Sequence, residues 1–431
     1  MAAPTPTLSS RPAAGTSSAP SQRYTSALSA VTTLFFLWGF ITCLNDILIP
    51  YLKAIFQLSF AQANLINLCF FGAYFFMSIP SGWLVSRVGY KKGMLIGFAV
   101  AALGSFLFYP AAAQRAYGLF LGALFVLASG ITILQVAANP YVAILGPPES
   151  ASSRLTLTQA FNSLGTYLAP RLGSVLILSH LPKKVDAASA ANIDVTAVQI
   201  PYLVIGGVLL LISLLLSRVH LPKIDHTTET DSTAISDAGS AWNYRHLVLG
   251  VVGIFAYVGA EVAIGSHIVN YLALPDVMGL DPESAGKQVA NYWGAAMVGR
   301  FAGAYLLNKF APTKLLAFNA IGAVILVLIS INTSGTVAMW SLLAVGLMNS
   351  LMYPTIFTLA VAGLGRHTEQ ASGLLCTAIV GGALVPLLFG FIADNNGLRI
   401  ALLLPIVCYL YVMWYGLRGS RRAVPATQQP A

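Results

Sequence analysis

Long apolar runs separated by short polar turns fill most of this chain. A helix needs about 20 apolar residues to cross the hydrocarbon of a bilayer. Runs of that kind fall at 28–52, 61–86, 93–112, 116–143, 155–180 and 199–221, then at 245–273, 285–308, 314–333, 337–363, 370–393 and 397–418. The pattern predicts an all-α membrane protein of about twelve transmembrane helices in two groups of about six. The longest hydrophilic interruption, Lys223 to Ala241, carries His226, Glu229, Asp231 and Asp237 and reads as a linker. The first residues, rich in Pro, Ala, Ser and Thr, lack both periodicity and an apolar stretch. They read as a disordered tail, which leaves the first membrane helix as an uncleaved insertion signal. The expected organisation is a tail over 1–26, a six-helix bundle over 27–222, a linker over 223–243, a second bundle over 244–420 and a tail over 421–431.

The two groups echo each other. The first has Asn139-Pro140, a turn at Gly146-Pro147-Pro148 with Arg154 beyond it, then Gly165 and Pro170. The second has Tyr353-Pro354, Gly365-Arg366, then Gly381 and Pro386 at similar spacing. Corresponding helices interrupted by Gly and Pro mark a repeat-built transporter whose site lies between its halves. Gly and Pro are also enriched in membrane helices generally, so the echo by itself fits an unrelated pair of bundles too.

Composition agrees with the pattern: 57% of residues are hydrophobic and 9% charged, where a soluble domain carries roughly 25% charged residues. The net charge of +9 does not indicate nucleic acid, because the basic residues sit in small clusters between apolar runs, such as Arg87, Lys91 and Lys92. Those clusters read as topology signals. With a cytoplasmic N-terminus, about 15 basic residues fall inside and about 7 outside, so both termini are expected in the cytoplasm. Cys43, Cys69, Cys376 and Cys408 lie in apolar runs with no close-spaced pair, which gives neither a metal site nor a disulfide framework. No phosphate-cradling loop suited to ATP is present, and no nucleophile–base set suggests an enzyme.

Ionisable groups inside hydrocarbon are costly unless they face a partner or a cavity, so each is a candidate for function. Asp46 follows Asn45 in the outer part of the first helix, and Glu261 falls halfway along the seventh, with Asn270 farther on. A carboxylate this deep can exchange a proton or bind a cation, or it can be held permanently by a donor such as Arg300. Gln135 and Asn139 share one helix face, and Gln159 and Asn162 roughly share another. Amides donate and accept, which suits a ligand covered in hydroxyls, and they serve equally in interhelical bonding. Among the aromatic residues, Trp38, Trp293 and Tyr353 stand where a ring could stack on a sugar.

The segment Gly82-Trp83-Leu84-Val85-Ser86-Arg87-Val88-Gly89-Tyr90-Lys91-Lys92 resembles the cytoplasmic signature of the major facilitator superfamily, with Ser86 where an Asp is usual. Gly303 to Lys314, just after Arg300, resembles its degraded counterpart in the second half. Leu37-Trp38-Gly39-Phe40 with Asn45-Asp46-Ile47-Leu48, Gln135 through Tyr141, and Gln159-Ala160-Phe161-Asn162-Ser163-Leu164-Gly165 together resemble the fucose:proton symporter family, and within it the bacterial glucose/galactose transporters. The resemblance implies the major facilitator fold, alternating access around a central cavity, a bacterial inner-membrane location and a hexose as cargo. It implies that Asp46 couples transport to a cation and that Asn162 lines the cavity. Gln135 stands where the fucose symporters have a Glu, which puts fucose itself and coupling through that helix in doubt, while Glu261 stands where an amide is expected. The carboxylate has moved between bundles on this reading. No cofactor is expected beyond a coupling cation, H⁺ or Na⁺, and no partner beyond the lipid bilayer and the sugar, with the chain a monomer. A transporter-like sugar sensor and an uncoupled hexose facilitator are the alternatives.

Overall fold

The computed structural model describes residues 24–40, 60–176, 196–219, 221–222 and 240–421. Its helices are α1 (Tyr24–Phe40), α2 (Phe60–Val88), α3 (Tyr90–Ala113), α4 (Tyr117–Ile144), α5 (Ala151–Leu176) and α6 (Thr196–Arg218) in the first half of the chain. The second half has α7 (Arg245–Leu272), α8 (Pro282–Leu306), α9 (Pro312–Asn332), α10 (Gly335–Val361), α11 (Gly365–Asn396) and α12 (Leu398–Gly419). No strand occurs among the described residues, as expected where lipid leaves each backbone group to be satisfied within its own helix. α2 to α12 match the apolar runs to within a few residues, and the end of the first run, 28–52, lies outside the described residues. Most of the expected tail 1–26, linker 223–243 and tail 421–431 falls outside the described residues. Ala241–Asn243, at the linker's end, form a short 3₁₀ turn.

Nine of these helices are long and apolar enough to span a membrane; α5, α8 and the described part of α1 are not among them. α5 and α8 pack on each other, and they carry Gln159, Asn162, Ser163 and Arg300. The least apolar long helices therefore lie where the halves meet, away from lipid.

Proline sets the local geometry at two equivalent places. A helical proline has no N–H and crowds the carbonyl four residues back. Pro140 continues α4, and the Val136 carbonyl it frees accepts from Ser372 Oγ of α11 at 3.0 Å. Pro354 breaks α10 after Asn349, and the helix resumes at Met352. Three carbonyls left at that break take side-chain donors: Met348 from Asn319 at 2.8 Å, Asn349 from Tyr257 at 3.1 Å and Ser350 from Arg300 at 3.3 Å.

The repeat is visible in the packing. A methyl group on Gly165 of α5 would collide with the Phe36 carbonyl of α1, and one on Gly381 of α11 with the Phe255 carbonyl of α7. The same close crossing thus recurs in each half, at positions where only glycine fits.

Contacts between halves gather at the end that holds the α2–α3, α4–α5, α8–α9 and α10–α11 turns. There Ser152 and Thr358 share a hydrogen bond of 2.6 Å, and Ser153 donates to the Ala304 carbonyl at 2.6 Å. Gly82 of α2 lies against the Glu369 carbonyl, and Gly373 of α11 against the Ser78 carbonyl. Arg154 locks the neighbouring turn by donating to the carbonyls of Val142 (3.3 Å), Ala143 (2.8 Å) and Pro147 (2.8 Å). A cation is well placed at the C-terminus of α4. Lys91 does the same for α6, reaching the Ser217 carbonyl at 2.8 Å. Gly89, at φ 83°, makes the one-residue turn between α2 and α3, and Arg87 lies 3.9 Å above the Trp83 ring. This end is closed.

A side chain at Gly373 should pry that end open, because its Cβ would stand 2.7 Å from the Ser78 carbonyl oxygen. Overpacking of this kind costs about 1–3 kcal/mol, enough for about a 5- to 150-fold change in conformational population. Cys376 on α11 is fully buried and reports on the change. In a variant with its other cysteines replaced by serine, maleimide labelling of Cys376 should speed up on Gly373→Val; an unchanged rate would show that this crossing does not hold the end shut.

Candidate functional site

Above the closed end, the halves leave a polar cavity of about 130 Å³, lined by Gln159 of α5, Tyr257, Val258 and Glu261 of α7, Arg300 of α8, and Tyr353 and Pro354 of α10. One amide faces it from the first half, and a carboxylate, a guanidinium and two tyrosines from the second. Its floor is a relay of neutral groups: Gln159 donates to Asn139 Oδ1 at 3.4 Å, and Asn139 Nδ2 donates to the Tyr353 hydroxyl at 3.2 Å. Asn139 is fully buried. The Asn139–Tyr353 bond joins the two halves directly beneath the cavity.

Glu261 and Arg300 form the charged wall. Arg300 Nη2 lies 3.8 Å from Glu261 Oε1, an ion pair between neighbouring helices. Glu261 is 8% exposed, and its Oε1 makes no hydrogen bond. Tyr257 donates to the Asn349 carbonyl, and Tyr292 donates to Glu261's own backbone carbonyl at 3.1 Å. Arg300 reaches in two further directions, to the Ser350 carbonyl freed by the break in α10 and, from Nη1, to Ser163 Oγ on α5. Ser163 in turn donates to the Gln159 carbonyl at 2.9 Å. One guanidinium therefore touches the carboxylate of its own half and a hydroxyl of the other. A neutral polar ligand could meet donors and acceptors on several sides here.

The other candidates are more dispersed. Asn162 donates to the Phe35 carbonyl at 2.8 Å, tying α5 to α1, and Gln135 donates to the Tyr74 hydroxyl, tying α4 to α2. Trp38 packs on Phe35 at 5.4 Å between ring centroids and lines a separate apolar cavity with Phe70, Phe98 and Tyr202. Trp293 is 43% exposed beside Tyr292, and Asn270 is exposed toward the far end of α7. Asn45 and Asp46 lie outside the described residues. Gly82, Arg87, Gly89 and Lys91 sit together at the α2–α3 turn, whereas Arg300, grouped with them from sequence, stands in the cavity wall.

Sequence reasoning does not single out Glu369, which is 7% exposed in the first turn of α11 at the closed end. It also passes over Ser163, Tyr74 and Asn349. Ser163 lies four residues from Gln159 and so shares its face, a signal present in the sequence. Tyr74 and Asn349 stand alone in apolar runs and give none.

A sequence profile described as Major Facilitator Superfamily matches residues 30–379. The glucose/galactose transporter of Brucella abortus is 56% identical over 402 residues, 93% of this chain and 95% of that protein. The L-fucose-proton symporter of Escherichia coli is 35% identical over 417 residues, 94% of this chain and 95% of that one. The crystal structure of FucP, the Escherichia coli fucose:proton symporter, in the outward conformation superposes with a TM-score of 0.85 at 34% identity, covering 93% of this chain and 100% of that one.

The floor relay makes Asn139 the amide whose removal should be felt most. Asn139→Ala would strand the Gln159 amide and the Tyr353 hydroxyl together, and a buried group left unpaired costs about 1–3 kcal/mol. The apparent melting temperature in detergent should fall for Asn139→Ala and stay put for the exposed Asn270→Ala. Equal behaviour of the two would mean that the relay does not hold the halves together.

Proposed function

The chain belongs to the major facilitator superfamily, in the family of the fucose:proton symporters and bacterial glucose/galactose transporters, and on that premise we propose that it imports glucose or galactose by alternating access, driven by H⁺ or Na⁺. It is a multi-pass membrane transporter and not an enzyme. The observation that carries the cargo assignment is the cavity between the halves, whose amide, tyrosines, carboxylate and arginine offer both donors and acceptors to the hydroxyls of an uncharged sugar. The names of the relatives support a hexose.

With both termini in the cytoplasm, as the basic residues imply, the closed end is the cytoplasmic one and the conformation faces outward. The bodies that rock are 27–222 and 244–420, joined by the linker 223–243. A monomer in a bacterial inner membrane suffices for this cycle. Glu261 is the coupling carboxylate on the cavity wall, and Asp46 is the second. A charge this deep is costly unless it has a fixed partner or a cation to bind, and at 3.8 Å from Arg300 Glu261 is only loosely held.

Gln159→Ala should weaken hexose binding by about 0.5–1.5 kcal/mol, the net worth of one hydrogen bond to a neutral ligand, as read by equilibrium binding of glucose and galactose in detergent. Unchanged affinity for both sugars would remove Gln159 from the site.

Coupling is read in sealed vesicles with radiolabelled sugar. Glu261→Gln and Asp46→Asn should each abolish accumulation against a gradient while sparing exchange, since exchange moves no net cation. If both variants still concentrate sugar, neither carboxylate couples. If the parent protein exchanges sugar but never concentrates it, the transporter is a facilitator, and binding without any exchange would make it a sensor.

A further inference from the structure

Arg300 is in a position to do more than neutralise a carboxylate. It lines the cavity together with Gln159 and Tyr353. Two of its three nitrogens have fixed acceptors, Nε at the Ser350 carbonyl and Nη1 at Ser163 Oγ. Nη2 has only Glu261, at 3.8 Å, beyond hydrogen-bond distance. An arginine cannot shed its charge, and its five N–H donors lie in a rigid planar fork. The Nη2 end thus points at an acceptor that is attractive by charge but too far away to satisfy it.

The balance turns on Glu261. While its carboxylate is charged, Coulomb attraction holds Nη2 toward it, and a sugar hydroxyl must compete with a charge-assisted partner. Once Glu261 takes up a proton, that charge–charge attraction is gone, and among the described residues no other anion stands beside Nη2 to replace it. The ionisable groups around Glu261 are Tyr257 on its own helix, Tyr292 and Arg300 on α8, Tyr353 on α10 and Tyr409 on α12, with Cys376 of α11 against Tyr353. Arg300 is the one cation among them. The hydroxyls of Tyr257 and Tyr292 already have carbonyl acceptors, and Tyr353 accepts from Asn139. From α5 come only the uncharged Gln159 and Ser163. With Glu261 neutral, a ligand hydroxyl in the cavity competes for Nη2 with an uncharged carboxyl oxygen 3.8 Å away and not with a charge.

We propose that Arg300 is a sugar-binding residue of this transporter whose availability is set by the proton on Glu261. The neutral acid frees Nη2 to donate to a sugar hydroxyl, whereas the charged carboxylate withdraws it. Proton and sugar then load together without touching each other, and Ser163 carries the position of the same guanidinium to the other half. The inference rests on the coupling role of Glu261 and adds to it the group that the sugar feels.

The test is equilibrium binding of glucose or galactose to the purified protein as a function of pH. When only the protonated form is competent, the apparent Kd is the intrinsic one divided by the competent fraction. Affinity should therefore be constant at acidic pH and fall about tenfold for each pH unit above the titration of Glu261. Glu261→Gln should bind as tightly as the acid form of the parent and show no pH dependence. Arg300→Lys, which keeps the charge but loses the fork, should bind about tenfold more weakly at acidic pH. The deciding variant combines the two. In the Glu261→Gln background no ion pair remains, so an arginine that served only as a counter-ion would make Arg300→Lys silent, whereas a sugar ligand still shows the tenfold loss. Silence there overturns the proposal and leaves the coupling role of Glu261 standing. A pH dependence that survives Glu261→Gln overturns the proposal, and its loss on adding Asp46→Asn would place the coupling proton on Asp46 instead. Thermal stability of each variant in detergent, read beside its binding curve, keeps a folding defect from passing as lost affinity.

Discussion

The N–H that Pro354 lacks organises the centre of this transporter. A membrane helix can leave a carbonyl unbonded only where another group reaches it, because lipid supplies no donor. The break in α10 frees carbonyls at Met348, Asn349 and Ser350, and side chains from three other helices, α9, α7 and α8, converge on them. Tyr257 and Arg300 are drawn to the cavity wall in this way, and Tyr353 and Pro354 complete the lining just past the break. The equivalent proline in α4 frees the Val136 carbonyl, which binds Ser372 from the opposite half. One interruption builds the site; its counterpart helps close the end beneath it.

Closure and binding are thereby connected through short chains of contact. Asn139 links Gln159 at the cavity to Tyr353 across the midline, and Arg300 links Glu261 to Ser163. Beneath them the halves meet through hydroxyls and glycine, such as Ser152 with Thr358 and Gly373 with Ser78. Small groups allow close approach yet bury little apolar area per contact, which suits an interface that must part and re-form in every cycle.

The polar residues divide by what surrounds them. Arg154 and Lys91 hold helix ends, and Asn162 and Gln135 tie helices together within the first half. Glu261 differs because its carboxylate oxygen is buried, ion-paired at a distance and without a hydrogen bond. A fixed structural carboxylate would be expected to have its lone pairs matched. That mismatch sets Glu261 apart from the carboxylates and amides that hold helices together.

By itself the sequence determined the helices and their grouping in two halves, because apolar length is a local property of the chain, whereas the repeat that its Gly/Pro echo suggested became visible in the matching glycine crossings. It also singled out Glu261, since a carboxylate amid an apolar run is conspicuous wherever it sits. Only the tertiary structure decided which polar residues meet. Gln159 and Asn162 are three residues apart on α5, yet one lines the cavity and the other bonds the Phe35 carbonyl. Arg300, which from sequence fits either the second-half signature or a pairing with Glu261, stands beside Glu261, and Glu369 proves buried although it begins a helix beside a polar turn. Helix periodicity fixes the face a side chain shares, but what stands opposite that face depends on the rotation and crossing of helices far away in sequence. Those are set by the glycine contacts of α1 with α5 and of α7 with α11, and by the carbonyls that two prolines release.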